Sequence, residues 1–299
     1  MKMEFHCLNG QEIRSMERKP PFHRHLKNQV HNKSTDFIMK IYKFLNRPLA
    51  LEQSCVSFLT QEILAGRTQD LQSMATNPRD SPQVNEKICV IEIKGILVPG
   101  DIYWKGWVCG YDAIQEQLIQ ALSKDCIETI VLLIDSPGGI ASGCFDLSDF
   151  IYKARKIKRI MAICDSNAYS AAYAIASAAH FITVPRDGGV GSIGVIAMHT
   201  DYSKYLDKEG IKVTQITYGA YKGEGDPSIP LTDGALGRIQ ADVNYLGEMF
   251  VETVARNRDL ESKKIREMEA GTFLGSFGVE QGLADVVSSP FEAIIKLGK

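Results

Sequence analysis

"IVLLIDSPGGIASG", residues Ile130–Gly143, runs from an unbroken apolar stretch into Ser136-Pro137-Gly138-Gly139 and then into small residues. A short apolar run bounded by turn signals and rich in β-branched residues reads as a strand buried on both faces. The two glycines behind the proline suit a tight turn. They also leave two backbone N–H groups with no side chain beside them. The stretch thus admits two readings: punctuation between a strand and a helix, or backbone that binds something.

Moving outward, "ICVIEIKGILV" from Ile88 reads as a strand or hairpin and "YDAIQEQLIQALSK" as an amphipathic helix. "ASGCFDLSDFIYKARK" is a second helix, "RIMAICD" a second buried strand, and "SAAYAIASAAH" a helix made almost wholly of small residues. "FITV" and "VGSIGVIAMH" read as further strands, followed by a helix near Tyr202–Glu209 and a strand at Val213–Tyr218. A long helix is expected from about Thr232 to Asn257, opened by the cap "TDGA". Strands alternating with helices predict an α/β domain with substantial parallel pairing, over residues 88–299.

The rest of the chain is different in kind. Residues 1–38 lack hydrophobic periodicity and are rich in Lys, Arg, His and Asn, so a disordered basic tail is expected. Its His23, His25 and His31 have no partner cluster, and no metal site is expected. Residues 39–66 carry Leu49, Val56, Leu59 and Ile63 near helical spacing, which predicts a short amphipathic helix. Residues 67–87 are polar and broken by prolines, as a linker would be.

Composition narrows the function. The 299 residues are 44% hydrophobic and 23% charged with a net charge of −2, which gives no electrostatic case for nucleic acid or an anionic membrane. No segment approaches the roughly 18 apolar residues of a membrane span, and no basic-then-apolar leader opens the chain. Seven scattered cysteines without a CxxC pair read as reduced thiols, so a cytoplasmic location is expected.

Four places could carry chemistry: the Ser-Pro-Gly-Gly stretch, Ser170 in "DSNAYSAAYAIAS", Ser192 in "GGVGSIGVIAMH" and Lys222 in "TYGAYKGEGDP". A serine at a helix start is ordinarily an N-cap. Here Ala171 and Ala172 keep bulk away from the hydroxyl, and the Ala171 N–H would face any oxyanion forming beside it. If the Gly139 N–H approaches from the neighbouring strand end, the two donors make an oxyanion hole. A serine nucleophile needs a base, and His199 and Lys222 both follow it. A lysine serves only when neutral, which requires burial.

"DSPGG", "NAYSAAYAIASAA", "GSIGV" and "YKGEGDP", in this order, resemble the SppA-type serine peptidases of the ClpP/crotonase superfamily. The resemblance implies a spiral of ββα units with a long C-terminal helix, and no cofactor. It implies Ser170 as nucleophile and Lys222 as general base, with Gly139 and Ala171 as oxyanion donors. Ser192 would hold the lysine amine toward Ser170, and Gly138 and His199 would line the cleft. "PLALEQS", "GVIAMHTDYSKYLDKEGIKVT" and "GVEQGLADVV" are similar to the phage branch, the lambda-like capsid assembly proteases. That branch implies cleavage of scaffold, portal or capsid proteins by a homo-oligomer, in the host cytoplasm or the assembling prohead. Two departures stand out: Ser170-Ala171-Ala172 where many members carry glycine, and a chain that stops at Lys299, from which a fused scaffold is expected to be absent. Met39, where the family-like region begins, is an alternative start.

Other readings remain open on residues alone. A Ser170–His199 triad with Asp201 or Asp226 would follow ClpP-type relatives. A crotonase-like acyl-CoA enzyme would share the glycine oxyanion hole but needs no serine. An SppA-like peptide-degrading peptidase would use the same dyad, and a non-catalytic assembly factor would use none of it.

Overall fold

The structure is a computed structural model and describes residues 48–52, 83–85, 87–104 and 106–297. Strand β1 (Leu49–Leu51) and β2 (Gln83–Asn85) precede β3 (Ile88–Lys94), β4 (Ile96–Val98), β5 (Tyr103–Trp104) and β6 (Val108–Gly110). Helix α1 (Tyr111–Ser123) then leads into β7 (Thr129–Ser136), β8 (Gly138–Ile140) and α2 (Cys144–Ala154). Strand β9 (Arg159–Tyr169), α3 (Ala171–Ser177), β10 (Phe181–Val184) and β11 (Gly189–Gly191) follow.

The apolar run Ile130–Ile134 lies in β7, between β3 and β9 and parallel to both. Its alternate residues face opposite ways. Ile130, Leu132 and Ile134 enter the main core, while Val131 packs with Val90, Ile163 and Ala293 of the C-terminal helix α8 (Pro290–Leu297). Cover on both faces is why the run is continuous rather than alternating.

A smaller sheet in the order β1-β8-β4-β6-β5 lies beside the larger one, whose order is β12-β11-β9-β7-β3-β2, with β12 at Thr272–Leu274. The chain steps from large sheet to small twice, at Gly95 between β3 and β4 and at Pro137 between β7 and β8. Gly95 sits at φ +78°, and an added Cβ would meet the Trp107 carbonyl carbon at 2.3 Å, so only glycine makes that step. Strand, strand, then helix thus recurs along the chain, in keeping with the expected spiral of ββα units. What read as one strand or hairpin at Ile88–Val98 is two strands in two sheets.

Strand β9 pairs β10 along its first half and β11 at its end. At that end Ser170 turns the chain into α3, a helix with every residue buried. All-round burial explains its small side chains: bulk would collide with β9, α2 and α5 (Asp233–Arg258). Behind it, Ser148 Oγ and Ser177 Oγ donate to Ala174 O at 2.7 and 2.8 Å, and Asn257 Nδ2 donates to both hydroxyls. The Tyr173 hydroxyl donates to Leu283 O at 2.9 Å.

The long helix α5 starts as expected, with the Thr232 side chain accepting from Ala235 N at 3.2 Å. It is preceded by α4 (Ser203–Lys208) and followed by α6 (Ser262–Glu267), β12 (Thr272–Leu274), α7 (Gly275–Glu280) and β13 (Val286–Val287). Arg258 at its end pairs with Asp285, which also accepts from Ile182 N at 2.6 Å, tying α5 to β10.

Further expectations are corrected. "VGSIGVIAMH" supplies only Val190 and Gly191 to a strand, with a lone bridge at Ile196, because the chain leaves β9 after Gly191. Val213–Tyr218 forms no strand, because no neighbouring strand pairs with it and much of it lies open to solvent. Leu49 lies in β1 rather than a helix, since pairing with β8 outweighs its spacing; Val56, Leu59 and Ile63 lie outside the described residues. The end of the expected linker supplies β2, antiparallel to β3. Residues 1–38, with the tail and its histidines, also lie outside the described residues.

Candidate active site

Ser170 stands at φ +52°, ψ −120°, a conformation rare for a residue with a Cβ. It is held there from three sides. Its N–H donates to Gly191 O at 2.9 Å, its carbonyl accepts from Ala174 N at 3.0 Å, and the residue is fully buried. The side chain does not cap α3, which overturns the bland reading of this serine; Oγ lies instead 3.5 Å from Gly194 O. Such a backbone costs about 1–3 kcal/mol, and the hydroxyl it holds does not cap the helix.

The glycine turn meets it. A Cβ added at Gly138 (φ +99°) would lie 2.9 Å from Ser170 Cβ and 3.0 Å from Ala171 N, so glycine is what lets β8 approach the serine. The Gly138 N–H donates to Ser136 Oγ at 3.1 Å, and that hydroxyl donates onward to Gly95 O at 2.6 Å. Gly138 therefore shapes the cleft, and its amide is already engaged. Gly139 is wedged against β4, where an added Cβ would meet Leu97 O at 1.8 Å. Ser170, Ala171, Gly138 and Gly139 are thus brought together.

Ser192, also at positive φ (55°), follows β11; its N–H donates to Gly271 O at 2.8 Å. Its hydroxyl makes no hydrogen bond among the described residues, so the expected grip on Lys222 is not made in the single chain. Lys222 itself is exposed on the turn Gly219–Gly225, and its ammonium has no ion-pair partner among the described residues. The inward, buried lysine expected from the sequence is not what one chain provides. The reason is local: Ile216, Tyr218 and Tyr221 around it are 96%, 101% and 64% exposed among the described residues. The turn is anchored on its other side. Arg238 stacks over the Tyr221 ring at 4.0 Å and bonds Glu224 through Nε at 2.7 Å. Between the turn and the start of α5 lies a cavity of about 230 Å³ lined by Gln215, Ala220, Gly223, Ile229 and Leu231.

No hydrogen bond joins His199 to Ser170, and His199 Nε2 is buried without a partner among the described residues. Asp226 is held below the usual carboxylate range first by the Ser228 hydroxyl and amide, and only last by His199. Asp201 likewise owes its lowered pKa first to Ser203. These carboxylates are committed to their own turns, which argues against the triad. Cys144 lies close behind, with Sγ 3.5 Å from Ala171 O, but burial pushes its thiol up to about 12, so it is no rival nucleophile. Among the described residues no cluster of His, Cys, Asp and Glu could hold a metal. The five described cysteines are free.

Sequence reasoning missed two things here. Ser136, which fixes Gly138, was signalled by a hydroxyl two residues ahead of a glycine, a local side-chain turn. "PLALEQS" drew notice only as a likeness, yet its Leu49–Leu51 pairs with Gly138–Ile140 beside Ser170. The tryptophan-bearing loop Val98–Tyr111 folds back as β5 and β6, leaving Trp107 half exposed.

Residues 153–299 match the model of Peptidase family S49. The chain is 34% identical over 248 residues to the head-tail preconnector protein GP5 of Enterobacteria phage P21, covering 82% of this chain and 49% of that protein. It is 32% identical over 242 residues to capsid assembly protease C of Escherichia phage lambda, covering 80% and 55%. Protease 4 of Haemophilus influenzae is 25% identical over 71% of this chain and 34% of its own length. The chain spans about half the length of the phage relatives it matches.

Proposed function

From the peptidase family S49 domain that residues 153–299 carry, we propose that this chain is a serine endopeptidase of the phage capsid-assembly type. The observation that carries the reading is Ser170: a strained, fully packed serine whose hydroxyl caps nothing, set against a glycine strand end. Ser170 Oγ attacks a peptide carbonyl and passes its proton to a neutral Lys222. The Gly139 and Ala171 amides hold the oxyanion. Lys222 then protonates the leaving amine, and water releases the acyl group.

An exposed lysine is protonated and cannot begin this cycle. The uncovered apolar residues around Lys222 support a homo-oligomer, in which a neighbouring copy covers Ile216, Tyr218 and Tyr221 and takes the ammonium out of water. Ser192, with its hydroxyl unengaged, then holds the amine. Scaffold, portal or capsid proteins are the proposed substrates, by analogy with the names of the phage relatives. No described helix is long and apolar enough to cross a membrane; the host cytoplasm or prohead is the proposed location by analogy with the names of the phage relatives.

The test is to label the chain with a serine-reactive fluorophosphonate and to co-express it with the head proteins of its phage. Labelling at Ser170 and loss of a head protein, both abolished by Ser170→Ala, are expected. Labelling without cleavage of any head protein would leave a peptidase of the SppA-like, peptide-degrading kind. An unlabelled Ser170 in an assembled protein would sink the reading.

A further inference from the structure

Ser170 is buried by something, and what covers the strand end beside it is the chain itself. Strand β1 is only Leu49–Leu51, yet it has backbone partners on both edges. On one side it runs antiparallel to β8, pairing Leu49 with Ile140, Ala50 with Gly139 and Leu51 with Gly138. On the other, Leu49 N donates to Ile196 O and Ile196 N to Leu49 O, both at 2.8 Å. At its ends Glu52 N donates to Pro137 O at 2.8 Å and Ala141 N donates to Pro48 O at 3.2 Å. Antiparallel ladders bond at alternate pairs, so the bonded pair between these two is Ala50 with Gly139. The Gly139 N–H, assigned to the oxyanion, is directed at the Ala50 carbonyl. The point where a Gly138 Cβ would sit lies 2.2 Å from Ala50 O, 2.9 Å from Ser170 Cβ and 3.0 Å from Ala171 N. The Ala50 carbonyl therefore stands among the groups that a reacting carbonyl would need.

The side chains fit the same picture. Ala50 turns into the main core, whereas Leu49 and Leu51 pack with Ile140, Val98, Ile196 and Met198 on the opposite face. An extended segment with backbone bonds on both edges and alternate side chains in separate environments is how a peptide lies in a cleft by strand addition.

We propose, resting on the peptidase reading, that Pro48–Glu52 is a built-in occupant of the substrate cleft. It places the Ala50 carbonyl at the oxyanion position and closes the site until it is displaced. The same chemistry names the substrate class: an extended chain with a small residue over Ser170, between two aliphatic residues. A tethered occupant competes at an effective concentration near millimolar, so a chain in trans sees only the open fraction of the protein.

The experiment compares the full chain with its Leu49→Ser/Leu51→Ser variant, which loosens the occupant and leaves Ser170, Lys222, Gly139 and Ala171 intact. Fluorophosphonate labelling of Ser170 should be roughly tenfold faster in the variant, as the open fraction rises. Equal or slower labelling in a variant with unchanged melting temperature overturns the proposal while leaving the peptidase reading standing. No labelling in either chain sinks the peptidase reading, and this proposal with it. A second measurement avoids the altered strand. The Ser170→Ala chain is given a synthetic nonapeptide copying residues 46–54 until its fluorescence anisotropy saturates, and amide exchange is followed. Leu49–Leu51 should lose protection by roughly tenfold while β7 and β9 keep theirs. A strand that stays protected with the peptide bound overturns the proposal. So does failure of the peptide, at millimolar concentration, to bind the loosened variant.

Discussion

The two halves of the proposed dyad are built in opposite ways. Ser170 is fully buried, its backbone is bonded on both sides, and the helix behind it rests on the Asn257–Ser148–Ser177 network. Lys222 sits on an exposed turn whose neighbours Ile216 and Tyr218 lie open to solvent among the described residues. Strain can persist only where surrounding packing over-determines it, and that condition is met at Ser170 and absent at Lys222. The geometry proposed for the nucleophile is a property of one folded chain. The base, on this reading, becomes one only in an assembly.

The widest split should appear when activity and stability are measured together. Ser170→Ala and Lys222→Ala should each lower peptide cleavage by more than about a thousandfold. Lys222→Ala should leave the melting temperature unchanged, because an exposed side chain without partners contributes within about 0.5 kcal/mol. Lys222→Arg should be as inactive as the alanine variant, since a guanidinium stays protonated. Wild-type activity per chain should rise with protein concentration as copies associate. A concentration-independent, fully active monomer would erase the contrast.

Glycine replacements probe the same difference through backbone room. Gly139→Ala forces a Cβ onto Leu97 O at 1.8 Å, backbone that cannot step aside, and should cost about 3 kcal/mol in denaturant unfolding. Gly225→Ala, on the lysine turn, meets nothing within 4 Å and is disfavoured only by its φ of +77°, so about 1 kcal/mol is expected. Equal costs would show that the turn is packed in solution as tightly as the glycine strand.

Support behind the nucleophile gives a middle-sized effect. Asn257→Ala leaves the Ser148 and Ser177 hydroxyls without their shared donor and should cost about 2 kcal/mol, read as a lowered denaturation midpoint. An unchanged midpoint would mean that water replaces the amide and that α3 does not depend on it.

The smallest effect concerns pH. His180 Nδ1 accepts from Ile160 N at 3.1 Å, which requires the neutral ring. Burial first, and then the charge of Arg155, hold its pKa below the ordinary 6.5. The unfolded chain therefore takes up the proton more readily than the folded one. The stabilisation is complete above about pH 6.5 and is lost as pH falls through the lower folded value. His180→Asn should flatten the melting temperature between pH 7 and 5 by a small amount. A steeper slope in the variant would reverse the sign of the argument.

The amino-acid sequence determined the elements that local chemistry can set. Apolar runs at Ile130–Ile134 and Ile160–Cys164 could only be buried strands, and Thr232 could open α5 because a cap bonds its own first turn. The turn from strand into helix at Ser170 was legible too, whereas its proposed role as nucleophile came from the family resemblance. Tertiary structure decided whatever depends on a distant partner. Val213–Tyr218 is rich in β-branched residues and is no strand, because a strand exists only where another backbone takes its hydrogen bonds. Leu49 stands at helical spacing with Val56, Leu59 and Ile63 yet lies in a strand, because Gly138–Ile140 and Ile196 supply its segment's backbone bonds from far along the chain. The sequence could put a lysine among glycines, but whether its ammonium is taken out of water depends on what packs over it, and no residue's neighbours in sequence encode that.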